Sequence, residues 1–388
     1  METTPNLYNT LFQILGQHTH WLDIRHLHTL VWMVVGVIKS KTVSLPEWAP
    51  FVDSRARFLQ STVRRFSRWL NNERIETDAL YEPIIRAVLS EWQTTTLFLA
   101  LDSSMLWDEF CHIRLSVIYR GRAVPLAWKT IEHSSSTVAF DDYQDMLAQA
   151  ARCLPPEATV VLLADRGFAD TKLMDYLNKT LHWHWRIRVR SSFYVHRQRQ
   201  RRVKLGHIRL KRGQARFWHN VYITGKRFPV HLALAKPFGT TENWFIASDQ
   251  PTNRDTFDEY GLRFDIEENF LDDKSGGFQL ETSLFRSTDV ISRLVLVLAI
   301  TTLFLVSQGT VVVENGKRRW VDAHWFRGNS YLKIGWKWVL RALIKGFELI
   351  TAFRLFPAPD PEPAKSSKKR RQKPKLSVYT VVYSPYPT

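Results

Sequence analysis

The run Val160-Val161-Leu162-Leu163, inside "PPEATVVLLADRG", is apolar at every position. A strand with one wet face alternates, whereas a strand that is apolar throughout is covered on both faces. "TTTLFLALD" is a second β-branched and apolar run. Both runs end on an aspartate, Asp102 and Asp165. "CHIRLSVIYR" alternates and is followed, after a tight turn at Arg120-Gly121, by "GRAVPLAWK", so three strands form an antiparallel meander. A helix from about Phe140 to Cys153 precedes the Val160 strand. A short helix, "DTKLMDYLN", and an alternating strand, "WRIRVR", follow it. In a mixed sheet of this order the first and fourth strands can lie side by side and parallel, projecting both acids from neighbouring C-terminal ends. Open α/β sheets keep their sites at that edge.

The rest of the chain divides around this sheet. Residues 1–93 read as a helical domain, and Leu59, Val63, Phe66 and Leu70 form one side of an amphipathic helix with Arg64, Arg65 and Arg68 turned away. Short helices with basic faces suggest DNA binding. Residues 94–190 and 246–355 form the α/β core. Residues 191–245 form a basic β-rich insertion, in a region where no acid occurs from Tyr176 to Thr241 while twelve Lys or Arg lie between Arg186 and Arg216. Residues 356–388 read as a flexible tail with seven basic residues between Lys365 and Lys375.

The net charge of +17 favours a polyanion, most commonly nucleic acid. Two distant cysteines, Cys111 and Cys153, argue against a disulfide framework or a structural zinc. "LVLVLAITTLFLV", Leu294 to Val306, is short for a membrane span and reads as a buried core helix. The first residues, "METTPNLYNT", lack the basic and apolar regions of a signal peptide.

The chemistry rests on a third acid. In "YGLRFDIEENFLDDK", Tyr260, Arg263, Glu267 and Lys274 fall roughly on one face of a helix, so an acid is set among cations. Glu268 points about 100° away from Glu267. Two acids at strand ends and one on a helix are a donor set for Mg²⁺, which takes oxygen ligands and keeps positions open for phosphates. His112 and His133 lie near these elements and read as scaffold, while Glu132 and His133 follow the third strand, where they can line the cleft, and are not chosen as site residues.

These residues resemble the DDE transposases of the insertion sequence 4 family of bacterial mobile elements. "LALDSS" is similar to the family's first-acid region, with Ser103-Ser104 where some members have threonine. "VLLADRGFAD" is similar to the second-acid region. "YGLRFDIEENFLDDK" fits the signature Tyr-x2-Arg-x3-Glu-x6-Lys at all four positions. The resemblance covers about residues 95–310. It implies a ribonuclease-H-like core with Asp102, Asp165 and Glu267 as catalytic ligands of two Mg²⁺ ions, with Mn²⁺ able to substitute. It implies phosphate contacts from Tyr260, Arg263 and Lys274. Trp244 resembles a tryptophan that stacks on a flipped base in some relatives, and it reads equally well as a core strand aromatic. Arg188 and Arg190, in the acid-free stretch, are further expected DNA contacts.

The expected activity is cut-and-paste transposition in the bacterial cytoplasm, at the nucleoid. The partners implied are double-stranded DNA, as terminal inverted repeats and target, and a second subunit of a homodimer; no membrane is expected. A ribonuclease-H-like nuclease that cuts without joining, and a non-catalytic DNA-binding descendant, are the alternatives.

Overall fold

A computed structural model describes residues 4–18, 21, 23–197, 201–238, 241–364 and 378–379. Five helices come first: α1 (Thr4–His18), α2 (Ile24–Ser40), α3 (Leu45–Trp48), α4 (Leu59–Leu70) and α5 (Thr77–Leu89). The core sheet opens with β1 (Thr96–Leu106), β2 (Phe110–Tyr119) and β3 (Arg122–Glu132). Then follow α6 (Gln144–Cys153), β4 (Thr159–Ala164), α7 (Thr171–Tyr176) and β5 (His184–Arg188). The basic segment supplies β6 (Tyr194–His196), β7 (Val203–Lys204), β8 (Gln214–Ile223), β9 (Phe228–Ala235) and β10 (Trp244–Ser248). Four helices close the fold: α8 (Asp255–Gly261), α9 (Phe264–Leu271), α10 (Thr288–Glu314) and α11 (Tyr331–Lys345). A last short strand is β11 (Val378–Tyr379).

The sheet order is β3-β2-β1-β4-β5-β10-β9-β8-β6-β7, with β11 paired to β8. The meander β1–β3 is antiparallel, and its turn places Arg120 and Gly121 at φ of 47° and 86°. β4 lies parallel to β1, and β5 parallel to β4. This is the α/β mixed sheet expected, preceded by helices, and its first five strands have ribonuclease-H-like order. The basic insertion is not a separate sheet. β10 pairs with both β9 and β5, so the core sheet continues into it without a break, and the expected boundary at residue 245 falls within β10.

Side-chain alternation assigns the two faces. Leu97, Leu99 and Leu101 of β1 enter the main core, whereas Ala100 packs with Ile266 and Phe270 of α9. The main-core face holds α10, of which nearly every residue is buried. The helix is longer than the apolar run suggested. It is long and apolar enough to cross a membrane, yet 94% of that window is buried inside the protein. Its polar residues are accommodated locally, as Thr301 and Thr310 donate to the carbonyls of Val297 (2.7 Å) and Val306 (2.9 Å).

The N-terminal helices share this core rather than forming a unit apart from it. One hydrophobic cluster runs from Leu7 to Leu355. The buried Arg293 of α10 donates to the carbonyls of Leu70 and Ile75, Trp336 donates to Ile38 O, and Tyr81 donates to Pro125 O. Along α4 the buried residues are Thr62, Phe66, Trp69 and Leu70, while Leu59 is exposed. The buried stripe is rotated from the expected one because α4 faces Trp48 and His26 as well as the core. Arg64 and Arg68 are exposed, and Arg65 is half-buried beside Phe66.

The beginning of the expected tail is tethered. Asp360 takes the Tyr331 hydroxyl (2.6 Å) and the Arg327 guanidinium (2.9 Å), and Arg120 donates to Ala358 O (3.1 Å). The seven basic residues of the tail lie outside the described residues. Val378 and Tyr379 align with Gln214 and Ala215 on β8.

The α10–α11 crossing is backbone on backbone. A Cβ at Gly335 would stand 1.8 Å from Leu305 O, and one at Gly309 would stand 2.0 Å from Tyr331 O. Neither carbonyl can yield without unwinding its helix. Gly335→Ala is therefore expected to destabilise by about 3 kcal/mol or more, the upper range for overpacking. Denaturant unfolding of the variant against the parent chain measures it, with Gly225→Ala, where a Cβ meets open space, as the neutral control.

Candidate active site

Asp102 and Asp165 meet through strand register. Leu101 pairs with Ala164 across the parallel β1–β4 ladder, which sets the next residues, the two aspartates, side by side. Alternation from Ala100 turns Asp102 to the α9 face. Asp102 does not end its strand as expected. β1 runs on to Leu106 because its antiparallel partner β2 continues to Phe110, well past the end of β4. Asp165 closes β4 and accepts Gly167 N–H at 2.7 Å. A Cβ at residue 167 would stand 2.9 Å from Asp165 Oδ1, so the glycine in "DRG" lets the backbone come this close.

Glu267 reaches the pair through Arg263. The Arg263 guanidinium donates to Asp102 Oδ2 at 2.9 Å and to Glu267 Oε1 at 2.6 Å. Burial would lower the pKa of this arginine, but Tyr260, Asp102 and Glu267 more than compensate and hold it charged. The Asp102 carboxyl is pushed up to about 6 by burial, with Asp165 and Glu267 adding repulsion and Arg263 opposing it. Among the described residues no three Asp, Glu, His or Cys side chains lie close enough to hold an ion, because a guanidinium stands between two of these acids. Three carboxylates that feel one another's charge, balanced by one internal cation, nevertheless fit a divalent ion chemically.

A second set of contacts sets the height and rotation of α9. The buried Arg114 of β2 pairs with Asp273 at 2.6 Å and donates to Asn269 Oδ1 at 2.7 Å. Its Nε donates to His112 Nε2, whose other ring nitrogen meets the Thr130 hydroxyl. Burial, together with Arg114 and Lys274, keeps His112 neutral by lowering its pKa. His112 is thus scaffold, as expected. Arg122 of β3 takes Glu268 and Asp272, both at 3.3 Å. Glu268 therefore turns toward β3, while Glu267 faces Arg263. This clamp is not among the features expected from the sequence. The signal was two arginines on alternating strands, Arg114 and Arg122, and the acid-rich end of "EENFLDD".

Other expected contacts are placed differently. The single helix is broken: α8 stops at Gly261, α9 starts at Phe264, and a π turn spans Asp272–Gly276. The wider π turn carries Lys274 off the common face. Its ammonium bonds Met105 O at 2.5 Å and Glu281 at 2.9 Å. Tyr260 is 1% exposed and Trp244 is 6% exposed. Their rings meet edge to face at 5.6 Å, within a small core that also includes Phe217 and Phe257. Here Trp244 has the core role, because β10 lies inside the sheet and its alternate positions face helix α8.

A cleft of about 980 Å³ opens beside Asp102 and Asp165, walled by Arg166, Arg188, Arg190 and Glu242. Arg188 pairs with Glu242 at 2.6 Å, and Arg190 donates to Arg166 O at 3.2 Å. A second cleft of about 520 Å³ shares Thr137, Gly167 and Arg190 with it and reaches Lys226. Not every cation of the acid-free stretch faces outward. Arg186 is buried against Glu259 and Gln250, whereas Arg201, Arg202, Arg209, Lys211 and Arg212 are exposed.

A ribonuclease-H-like sheet with Asp102 and Asp165 side by side at its open edge and an arginine-walled cleft beside them is a setting suited to phosphate chemistry. A family model described as the transposase DDE domain matches residues 110–304, half of the chain, and the chain belongs to that family. Asp165 and Glu267 lie inside the matched segment, while Asp102 lies just before it. Among solved structures, a piggyBac transposase, determined by cryo-electron microscopy in a synaptic complex with hairpin DNA, is similar with a TM-score of 0.43 and 11% identity, covering 95% of this chain and 88% of that one. No curated protein matches the chain.

Two outcomes follow. The Asp102 carboxyl titrates higher in the folded chain than its ordinary 3.8, so this group's contribution to folding stability falls as pH rises from about 4 to 6 and stays lower above that. Asp102→Asn is expected to stabilise the metal-free chain at pH 7 by about 2 kcal/mol, with the gain shrinking toward pH 4; melting curves at both pH values check it. Arg114→Leu leaves Asp273 buried and unpaired and is expected to cost about 3–5 kcal/mol, much of it recovered in Arg114→Leu/Asp273→Leu. Unfolding of the three variants measures this.

Proposed function

We propose that this transposase cuts DNA at the ends of its own mobile element and joins the freed ends to target DNA. The observation that supports the reading is the register that sets Asp102 and Asp165 side by side at one sheet edge, with Glu267 linked to Asp102 through Arg263 and a cleft walled by three arginines beside the two aspartates. Asp102, Asp165 and Glu267 are the residues that would hold divalent ions, Mg²⁺ or Mn²⁺. Such ions, when bound, activate an attacking oxygen and stabilise the leaving oxygen of an in-line displacement.

The chain's own residues supply the rest. Arg166, Arg188 and Arg190 attract and orient backbone phosphates along the cleft. Arg263 is within reach of both Asp102 and Glu267 and offers a forked donor to a phosphate oxygen once either carboxylate is engaged elsewhere. In the first displacement water attacks the phosphorus at the element's end, and the 3′-oxygen leaves as a hydroxyl. In the second, that 3′-hydroxyl attacks another phosphodiester, on the opposite strand or in the target. One site serves both, because each step is the same in-line exchange of one oxygen for another. The exposed cations of the insertion, Arg201, Arg202, Arg209, Lys211 and Arg212, offer further phosphate contacts. Two such chains, each holding one end, would act together, in the bacterial cytoplasm at the nucleoid.

The test uses the full chain with labelled element ends. Asp102→Ala, Asp165→Ala and Glu267→Ala are each expected to bind the end with parental affinity and to lose metal-dependent cleavage. Pre-cut ends with target DNA are expected to yield joined product from the parental chain alone. Cleavage by any of the three variants at the parental rate refutes the assignment, and cleavage without joining identifies a nuclease.

A further inference from the structure

Away from the acidic cleft, one surface exposes large aromatic rings. The loop between α10 and α11 and the outer face of α11 leave Trp325 78% exposed, Phe326 59%, Trp320 48% and Ile344 68%. Burying such a side chain stabilises a fold by about 1.5–3 kcal/mol. A slack loop would fold these rings inward, but this one is held out by its own polar core.

That core is Asp322, whose side chain is fully buried. Its carboxylate accepts Gly328 N–H at 3.0 Å and Asn329 Nδ2 at 2.8 Å, with further bonds from Asn329 N, Arg318 and His324. Burial alone would raise this carboxyl; the hydrogen bonds from His324, Gly328 and Asn329 more than reverse it, so it stays ionised. Two buried arginines brace the loop from beneath. Arg318 donates to the carbonyls of His324 (2.9 Å) and Trp325 (3.0 Å), and Arg327 donates to Asn329 O (3.0 Å) and pairs with Asp360. The main chain at Trp325 is thus fixed while its ring stands in solvent.

The surroundings are cationic. The Arg319 guanidinium lies 4.8 Å from the Trp325 ring centre, and the Lys317 ammonium lies 5.8 Å from Trp320. Arg341 donates to Trp320 O at 2.6 Å, and Lys333, Lys337 and Lys345 continue its exposed row on α11. Of the nearby carboxylates, Asp322 is engaged within the loop and Asp360 on Arg327, while Glu362 and Glu314 are paired at the surface with Arg318 and Arg120. Glu348 is exposed next to Phe347, so cations outnumber free acids on this face. A partner must therefore offer negative charge and flat apolar groups together. A second copy of a chain with net charge +17 brings the wrong sign to this face.

We propose that the Trp320–Trp325–Phe326 surface is a second DNA-binding site, separate from the catalytic cleft, in which the rings stack on or wedge between bases while Lys317, Arg319 and Arg341 hold phosphates. The proposal rests on the reading of DNA as the partner. It adds a place where bases are touched, which the cleft arginines do not provide.

The experiment is fluorescence anisotropy on the full chain, with labelled duplex and single-stranded oligonucleotides of about 30 nucleotides, between about 50 and 200 mM salt. Trp325→Ala/Phe326→Ala is expected to weaken binding about fivefold or more with an unchanged salt slope, because stacking releases no counterions. Arg319→Ala is expected to lower the slope by about one. Both variants should melt with the parental chain, since the replaced side chains are exposed. Loss on the single strand alone assigns the rings to unpaired bases, and loss on the duplex as well assigns them to wedging; either supports the site. Parental affinity from the double variant, at unchanged melting temperature, overturns the proposal and leaves the cleft reading intact. Failure of the parental chain to bind either oligonucleotide overturns both. A change from dimer to monomer by light scattering, with DNA affinity unaltered, makes the surface a subunit contact and also overturns it.

Discussion

The largely buried Asp102 carboxyl is repelled by Asp165 and by the half-exposed Glu267, and the fold must keep the three near one another against that repulsion. Two devices do so. Arg263 places one guanidinium between Asp102 and Glu267, so the corner carries its own counter-charge. Arg114 and Arg122, one strand and two strands away from Asp102, grip the acidic side chains at the far end of α9. The helix is tied to the sheet by charge at both ends, with Ile266 and Phe270 packed on Ala100 and Ala123 between them. The same arrangement leaves Asp102 harder to ionise than an ordinary aspartate, a strain characteristic of functional corners.

The basic insertion follows a related logic. The stretch from Tyr176 to Thr241, which includes most of the insertion and strand β5 before it, lacks acids, but the structure brings acids to it from later in the chain. Arg186 meets Glu259, and Arg188 meets Glu242. Where such partners reach, an arginine becomes a brace within the sheet. Where they do not, as along Arg201, Arg202, Arg209, Lys211 and Arg212, the charge stays at the surface. The continuous ladder from β5 through β10 to β9 makes the insertion and the core one mechanical unit. The cleft can therefore be walled by core and insertion residues together, Asp165 on one side and Arg188 and Asn243 on the other.

Much of the candidate site was legible because it depends on short-range order. Apolar runs ending in aspartate read as buried strands, the helix–strand alternation implied a parallel β1–β4 pair, and the Arg263–Glu267 spacing is one helical turn. Trp244, Tyr260 and Lys274 were not legible in the same way. A ring in an alternating strand is the same letter whether its face meets DNA or α8, and one π turn is enough to move a lysine off a helical face. The N-terminal helices read as a separate domain because nothing local says that α2 and α5 pack on α10, a helix more than two hundred residues away.

The sequence by itself determined most of the elements, the apolar runs that lead to Asp102 and Asp165 and the excess of positive charge, because these depend on neighbours within a few residues. Only the tertiary structure decided which cations face solvent and which brace the interior, and that Arg263 rather than a free gap lies between Asp102 and Glu267. It also decided that Trp325 and Phe326 stand outward on a loop fastened through Asp322. Apart from the local bonds around Asp322, those outcomes depend on pairs far apart in the chain, such as Arg263 with Asp102 and Arg327 with Asp360, whose meeting is set by how helices and strands pack and by the cost of leaving a buried charge without its partner.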